Sequence, residues 1–287
     1  MCIEEFKDAM RAVGLVPPDT ITTGKIIHFA GLNKPKTNNA ARCLLFEDGR
    51  GGWFMDYSTG LYEVWQAERA TPYTKEERKA FAEQCERDRA ARERDRVEAQ
   101  AKSARKARRF MDNATFADRC NVYLRRKKIQ PNGAKTGGTT NLQGVLILPV
   151  FKFSEQKGLE LVNVQFIAPD GEKRFLSGGQ KKACFWWLGK KTSTILIAEG
   201  FATAASLYES TGNQVFIAYD AGNLIHVARI VRAKNPTSEI IIAGDNDVSG
   251  TGQTAARAAA LAISCKYIIP PTVGHDWNDH VNAGGGL

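Results

Sequence analysis

Residues 240–247 read IIIAGDND, an apolar run that ends in Asp245 and Asp247, one residue apart. Successive residues of an extended strand face opposite ways, so carboxylates at i and i+2 share a side. Like charges so placed repel unless something positive sits between them. Two more acids close apolar runs upstream, Glu199 after TILIA and Asp220 after QVFIAY. Carboxylate oxygens of this kind suit Mg²⁺ or Mn²⁺, which share their coordination with water and substrate phosphates. In phosphoryl transfer such ions bridge the attacking and leaving oxygens. The competing reading makes each acid a helix N-cap or first-turn acid, both common after strands. Delivery of all four to one edge of a sheet favours the metal.

The elements that must deliver them follow from the pattern after Thr194. TILIAEG, QVFIAYD, EIIIAGD and CKYIIP read as strands. Between them FATAASLYESTG, AGNLIHVARIVRAKNP and TGQTAARAAALAIS read as helices. Strands alternating with helices of this length predict an α/β fold, a parallel sheet with helices on both faces. Ligands of such sheets bind beyond the carboxyl ends of the strands, where Glu199, Asp220, Asp245 and Asp247 lie, with Asn223 and Asn246 beside them. Gly250-x-Gly252-x-x-Ala255, with Asp276 downstream, imitates a dinucleotide loop. It follows the third strand rather than the first, and two aspartates would repel a pyrophosphate. GKKT at 189–192 lacks the spacing of a phosphate loop.

Upstream, residues 25–66 read as short strands with turns at Asp48-Gly49 and Gly51-Gly52. This small β-rich module carries Trp53, Phe54, Tyr57, Tyr62 and Trp65, which either fill its core or stack nucleobases. From Glu76 to Arg109 the chain holds twelve basic and eight acidic residues with no Gly or Pro, a long exposed helix. Its last third, AKSARKARR, has lost its acids and either touches phosphates or, as most of this helix is read, forms a solvated face. A second basic cluster, Arg125, Arg126, Lys127 and Lys128, precedes two strand runs at 144–153 and 159–168. The expected divisions are a β-rich module over 1–70, a charged helical linker over 71–112, a mixed α+β subdomain over 113–190 and the alternating domain over 191–287.

The 40 Lys and Arg against 31 Asp and Glu give a formal charge of +9 and point to a polyanion, nucleic acid ahead of anionic lipid. No stretch approaches a membrane span, and MCIEEFKDAM is acidic where a signal peptide is basic, so a cytoplasmic protein is expected. The six cysteines form no Cys-x-x-Cys pair, which argues against structural zinc and for reduced thiols. His28 and Cys43 are read as packed residues rather than ligands.

AEGFATAASLYESTG, AYDAGNL, AGDND and DWND resemble the Toprim domain of primases, the kind carried by plasmids, integrative elements and phages. Upstream, YLRRKKI, GVLILPVF, VQFIAPDGEKRFLSGG and FWWLG resemble the amino-terminal half of that catalytic core, so the likeness covers roughly 113–282. The resemblance implies a Rossmann-like Toprim sheet and a DNA primase that makes short RNA primers on a single-stranded DNA template from ribonucleoside triphosphates. It implies Glu199 as metal ligand or general acid/base and Asp245 and Asp247 as metal ligands, with Asp276 and Asp279 facing the same cluster. Lys173, Arg174, Lys181 and Lys182 would form the ridge that holds template or triphosphate, with Arg125, Arg126, Lys127 and Lys128 nearby.

Primases of this type often begin with a zinc module, and residues 25–66 hold its place without the cysteine pairs. The helix entry SGTGQ also departs from the Asn-Pro-Gly common in relatives. No Walker A motif is present, so a helicase would act in trans. Two rival readings remain open: a metal-dependent Toprim nuclease, and a non-catalytic single-strand-binding replication accessory protein.

Overall fold

The computed structural model describes residues 2–67, 74–137 and 142–286. The expected boundary between residues 70 and 71 lies outside the described residues. The chain forms two compact units, Met1–Cys85 and Glu86–Leu287.

In the first unit α1 (Cys2–Ala12) precedes four antiparallel strands in sequential order, β1 (Ile26–Phe29), β2 (Ala41–Leu45), β3 (Gly51–Asp56) and β4 (Leu61–Gln66). Phe6 and Met10 of α1 are fully buried against Cys43, Leu45 and Phe54. The sheet therefore has one covered face and one open face, as the alternating burial of β3 shows. Phe54 and Trp65 turn inward onto Phe6, whereas Trp53 and Tyr62 stack on the open side with ring centroids 6.3 Å apart. The register pairs Ile27 with Cys43 and His28 with Arg42. His28 and Cys43 thus lie on opposite faces and cannot share a metal.

The second unit opens within the 39-residue helix α2 (Lys75–Asn113). There follow β5 (Thr115–Phe116), α3 (Val122–Lys127), β6 (Lys135–Thr136), β7 (Leu146–Ser154), β8 (Gly158–Ile167), β9 (Lys173–Phe175) and β10 (Cys184–Leu188). Then come β11 (Thr194–Ala198), α4 (Phe201–Thr211), β12 (Gln214–Ile217), α5 (Leu224–Lys234), β13 (Glu239–Ala243), α6 (Thr251–Ala262), β14 (Lys266–Ile268) and α7 (Trp277–Asn282). The strands join one mixed ten-stranded sheet in the order β14-β13-β11-β12-β10-β7-β6-β5, with β8 and β9 branching from β7. The four strands β14, β13, β11 and β12 are parallel, and antiparallel β10 links them to the rest.

Alternation along the parallel strands assigns the two cores. Leu196 and Ala198 of β11 pack with α4, α7 and α3, while Ile195 and Ile197 pack with α5 and α6 on the other side. Burial on both faces explains the continuous apolar runs of these strands. β13 stops at Ala243, so Asp245 and Asp247 stand in the loop beyond the strand rather than on it.

Candidate active site

Beyond the carboxyl ends of β11 and β13 the second unit holds an open cavity of about 240 Å³. Ala198 and Ala243 are paired in register, so the chain leaves both strands at the same level. Glu199 follows the first and Asp245 the second, and both line the cavity. Asp276 joins them as the N-cap of α7, its Oδ1 accepting from the Asp279 N–H at 2.8 Å. These three carboxylates, from three segments, thereby share one recess, which Asp170 from the turn before β9 also lines.

Their electrostatics show what the recess lacks. Asp245 is pushed up to about 7, first by burial and then by the charges of Glu199, Asp276 and Asp247, with Lys173 opposing. Burial also raises Glu199, with Lys173 opposing and Asp247 and Asp220 adding to the rise. Asp245 Oδ1 is buried and has no hydrogen-bond partner. An orphaned carboxylate oxygen among like charges is the donor that a hard divalent cation accepts. Glu199 and Asp245 are therefore the residues that could hold one, with Asp276 adjacent. Among the described residues no three His, Cys, Asp or Glu side chains form a ready cage. That suits an ion completed by water and phosphate oxygens.

Three cations line the same recess, Lys173, Arg126 and Lys127. Lys173 begins β9, and a Cβ placed on Gly200 would lie 3.3 Å from its Nζ, so the ammonium sits over the turn between β11 and α4. Arg126 and Lys127 come from α3, whose N-cap Asn121 accepts from the N–H groups of Tyr123 and Leu124. Gly171 turns the chain into β9 with φ +93°, and a Cβ there would meet Arg126 Nη2 at 2.5 Å. Lys127 Nζ is 3.4 Å from both Asp276 and Asp279. Its carbonyl accepts from Asn278 Nδ2 at 2.7 Å and from Asn282 Nδ2 at 3.1 Å. The DWND stretch thus clamps α3.

The other expected residues do not line the recess. Asp247 Oδ2 accepts from the Gly252 N–H at 2.8 Å and holds the entry of α6. Asp220 caps the turn Ala221–Asn223, and Asp279 completes the α7 capping box. Asn223 is buried and binds the Ala183 N–H and the carbonyls of Cys184 and Ala218, which ties β10 to β12. Asn246 Nδ2 reaches the Pro270 carbonyl and fixes the 270–275 loop. Arg174 pairs with Glu172 at 2.8 Å, as alternation requires of the residue after Lys173. Lys181 Nζ lies 5.1 Å from the Phe175 ring centroid, and Lys182, Arg125 and Lys128 are exposed. Lys128 itself forms the left-handed C-cap of α3.

Tyr123, Thr203 and Asp170 also line the recess and were not anticipated. Tyr123 had a signal: it stands three and four residues before Arg126 and Lys127, one face of one helix. Burial lifts its hydroxyl to about 12, so it stays a neutral donor.

A profile of the Toprim domain matches residues 194–286. The chain is 30% identical to a DNA primase TraC from Escherichia coli, over 93% of this chain and 19% of that protein. A second Escherichia coli DNA primase TraC is 28% identical over 93% of this chain and 26% of its own length. The chain thus spans about a fifth to a quarter of the curated relatives it matches. Among solved structures it is similar to the primase fragment of the bacteriophage T7 primase-helicase protein, at 15% identity and a TM-score of 0.43, over 90% of this chain and 95% of that one. Residues 194–286 are thus similar to the Toprim domain, and the chain carrying them is similar in sequence to DNA primases named TraC.

Proposed function

We propose that this chain is a DNA primase, which joins ribonucleotides on a single-stranded DNA template by metal-dependent nucleotidyl transfer. The observation that carries the reading is one recess in which Glu199, Asp245 and Asp276 face Lys173, Arg126 and Lys127. Carboxylates alone would suit a metal store, and cations alone an anion site. Both in one recess of about 240 Å³ suit a triphosphate brought in with its metal.

Glu199 and Asp245 would hold Mg²⁺ or Mn²⁺, with Asp276 next to them. When bound, the ion supplies positive charge that acidifies the primer 3′-hydroxyl and stabilises the departing pyrophosphate. The chain's own part is chiefly positioning and charge. Lys173 Nζ, over the β11–α4 turn, sets the polyphosphate against Glu199. Arg126 offers a planar fork to phosphate oxygens. Lys127, already held between Asp276 and Asp279, balances their charge and keeps them from repelling the substrate. Buried Tyr123 donates from its hydroxyl without titrating near neutrality. Asp247, Asp279, Asn223 and Asn246 fix the loops on which these groups stand.

The reading takes single-stranded DNA and ribonucleoside triphosphates as partners, a helicase in trans, and replication of a mobile element or phage as the setting. No described helix is long and apolar enough to cross a membrane. The deciding experiment incubates the protein with single-stranded DNA, labelled ribonucleotides and Mg²⁺ or Mn²⁺, beside Asp245→Ala. Short labelled RNA from the parent alone supports the reading. Shortened DNA without RNA would make the site a nuclease. DNA binding with neither product, unchanged in Asp245→Ala, would leave an accessory binding protein.

A further inference from the structure

The basic end of α2 has no part in the recess, and its placement is specific. The stretch 99–109 carries five cations and no acid. Ser103 and Ala107 are buried, and Ala107 packs with Ile147 and Val164 of the sheet, flanked by Phe110 and Met111. Lys102, Arg105, Lys106 and Arg109 stand at i, i+3, i+4 and i+7, so they form one stripe along a flank of the docked helix, roughly 10 Å long. All four are exposed, and among the described residues none is in an ion pair. Over 86–98, by contrast, acids and bases alternate, as in the Arg96–Glu93 pair at 2.5 Å.

A second basic segment seats on the same turn of α2. A Cβ on Gly178 would come within 3.2 Å of Ala99 Cβ, and one on Gly179 within 2.6 Å of Ser103 Oγ. The loop 177–182 therefore rests on the turn that bears Lys102. It carries Lys181 and Lys182 and leads back through Phe175 to β9, where Lys173 enters the recess. Asn163 holds this loop, donating to the Gln180 carbonyl at 3.2 Å and accepting from the Leu176 N–H at 3.2 Å.

We propose that the stripe Lys102, Arg105, Lys106 and Arg109 is a binding surface for the phosphodiester backbone of a single-stranded nucleic acid, which continues over Lys181 and Lys182 toward the recess. The surface suits phosphates because the stretch 99–109 offers cations with no carboxylate among them, the nearest acids, Glu98 and Asp112, standing at its two ends. It does not suit a bilayer, because between residues 99 and 109 the only exposed apolar residues are alanines, with no large side chain to insert. A single strand fits a path one helix flank wide that leads to a small recess, whereas a duplex does not. The direction toward the recess rests on the primase reading; binding along α2 does not.

The test measures fluorescence anisotropy of a labelled oligothymidylate with the full chain across a salt series. Lys102→Ala/Arg105→Ala/Lys106→Ala/Arg109→Ala is compared with Arg87→Ala/Arg89→Ala/Arg92→Ala, a control in the acid-balanced part of the same helix. Both variants change exposed side chains only, and circular dichroism checks the fold. Four lost contacts at about 0.7 each lower the log–log salt slope by about 3 and weaken binding at least tenfold at about 0.1 M salt. The control keeps the parent slope. An unchanged slope in the first variant, or an equal loss in both, overturns the proposal. So does tighter binding to a duplex of the same length, or to phosphatidylserine vesicles in place of the oligonucleotide. Because binding is read rather than synthesis, a chain that makes no primers can still pass, and the two readings fail separately.

Discussion

Lys127 and Asn278, 151 positions apart in sequence, are joined through the Lys127 carbonyl, which accepts from Asn278 Nδ2 at 2.7 Å. The same amide donates to Ser206 Oγ of α4 at 2.8 Å. One buried side chain therefore fastens α3 to α4 and α7, three of the elements around the recess.

Asn278→Ala is expected to lose both bonds and leave buried oxygens poorly satisfied, at a cost of roughly 1–3 kcal/mol. Thermal melts should show Tm lower by several degrees for a unit of this size. The site should loosen as well, because Arg126 and Lys127 ride on α3. A rise in KM for nucleotide larger than the fall in kcat is expected. An unaltered Tm would show that the clamp is idle.

Asp245→Asn separates stability from function. The carboxylate of Asp245 is buried among Glu199, Asp276 and Asp247, and its Oδ1 has no partner. Replacing it with a neutral amide removes the repulsion. In metal-free buffer at pH 8 the variant should be more stable than the parent, by on the order of 2 kcal/mol. Primer synthesis should fall to background, and Mg²⁺ should no longer raise Tm. A variant that is less stable without metal contradicts the charge assignment.

The parallel half of the second unit was legible in the sequence because strands and helices alternate there and the strands are apolar on both faces. That alternation placed Glu199 and Asp245 at strand ends along one edge, the resemblance of AGDND and AEG to Toprim motifs implied metal ligands there, and the pairing of β11 with β13 makes the two ends neighbours. Asp247 was read as sharing a strand face with Asp245. The strand ends at Ala243, and from the loop Asp247 Oδ2 accepts from the Gly252 N–H while its charge still acts on Asp245 and Glu199. Helix α1 was missed because its acids, Glu4, Glu5 and Asp8, hid the stripe of Phe6 and Met10 that fills the first core. The basic residues were read as clusters, but period decides which of them face the recess. In β9 Lys173 turns in and Arg174 out, while in α3 Arg126 and Lys127 share a face with Tyr123. Thr203 and Asp170 left no sequence signal, since only tertiary packing brings α4 and the turn before β9 together.

The same carboxylate sets a pH dependence. Asp245 titrates at about 7 when folded against 3.8 for an unperturbed aspartate. A folded pKa raised above the unfolded one means that the native state binds the extra proton between those values. The stability contributed by protonated Asp245 is fully present below about pH 4 and is lost as pH rises through about 7. Without metal, Tm should decline over that window. Mg²⁺ competes with the proton, so its stabilising effect should be small at pH 6 and grow toward pH 8. Equal Mg²⁺ effects at both pH values would remove Asp245 from the ligand set.

Gly252→Ala tests the loop that carries the aspartates. A Cβ at Gly252 would come 2.6 Å from the Asp245 carbonyl oxygen and 3.0 Å from Asp247 Oδ2. Alanine otherwise suits a helical position better than glycine, by roughly 1 kcal/mol. Helix propensity and the local clash therefore pull in opposite directions. The first contact is with backbone and cannot be relieved by a rotamer change, so the loop must shift. The clash should dominate, at a net cost of roughly 1–3 kcal/mol. Displacement of Asp245 should cost activity out of proportion to the loss of stability, and the Mg²⁺-induced rise in Tm should shrink with it. Gly250→Ala controls for the loop: Gly250 has φ +75° with no atom near its missing Cβ, so strain there should lower Tm while the Mg²⁺ response persists. If Gly252→Ala proves more stable than the parent and equally responsive to Mg²⁺, the close approach of α6 to the Asp245 backbone does not set the site.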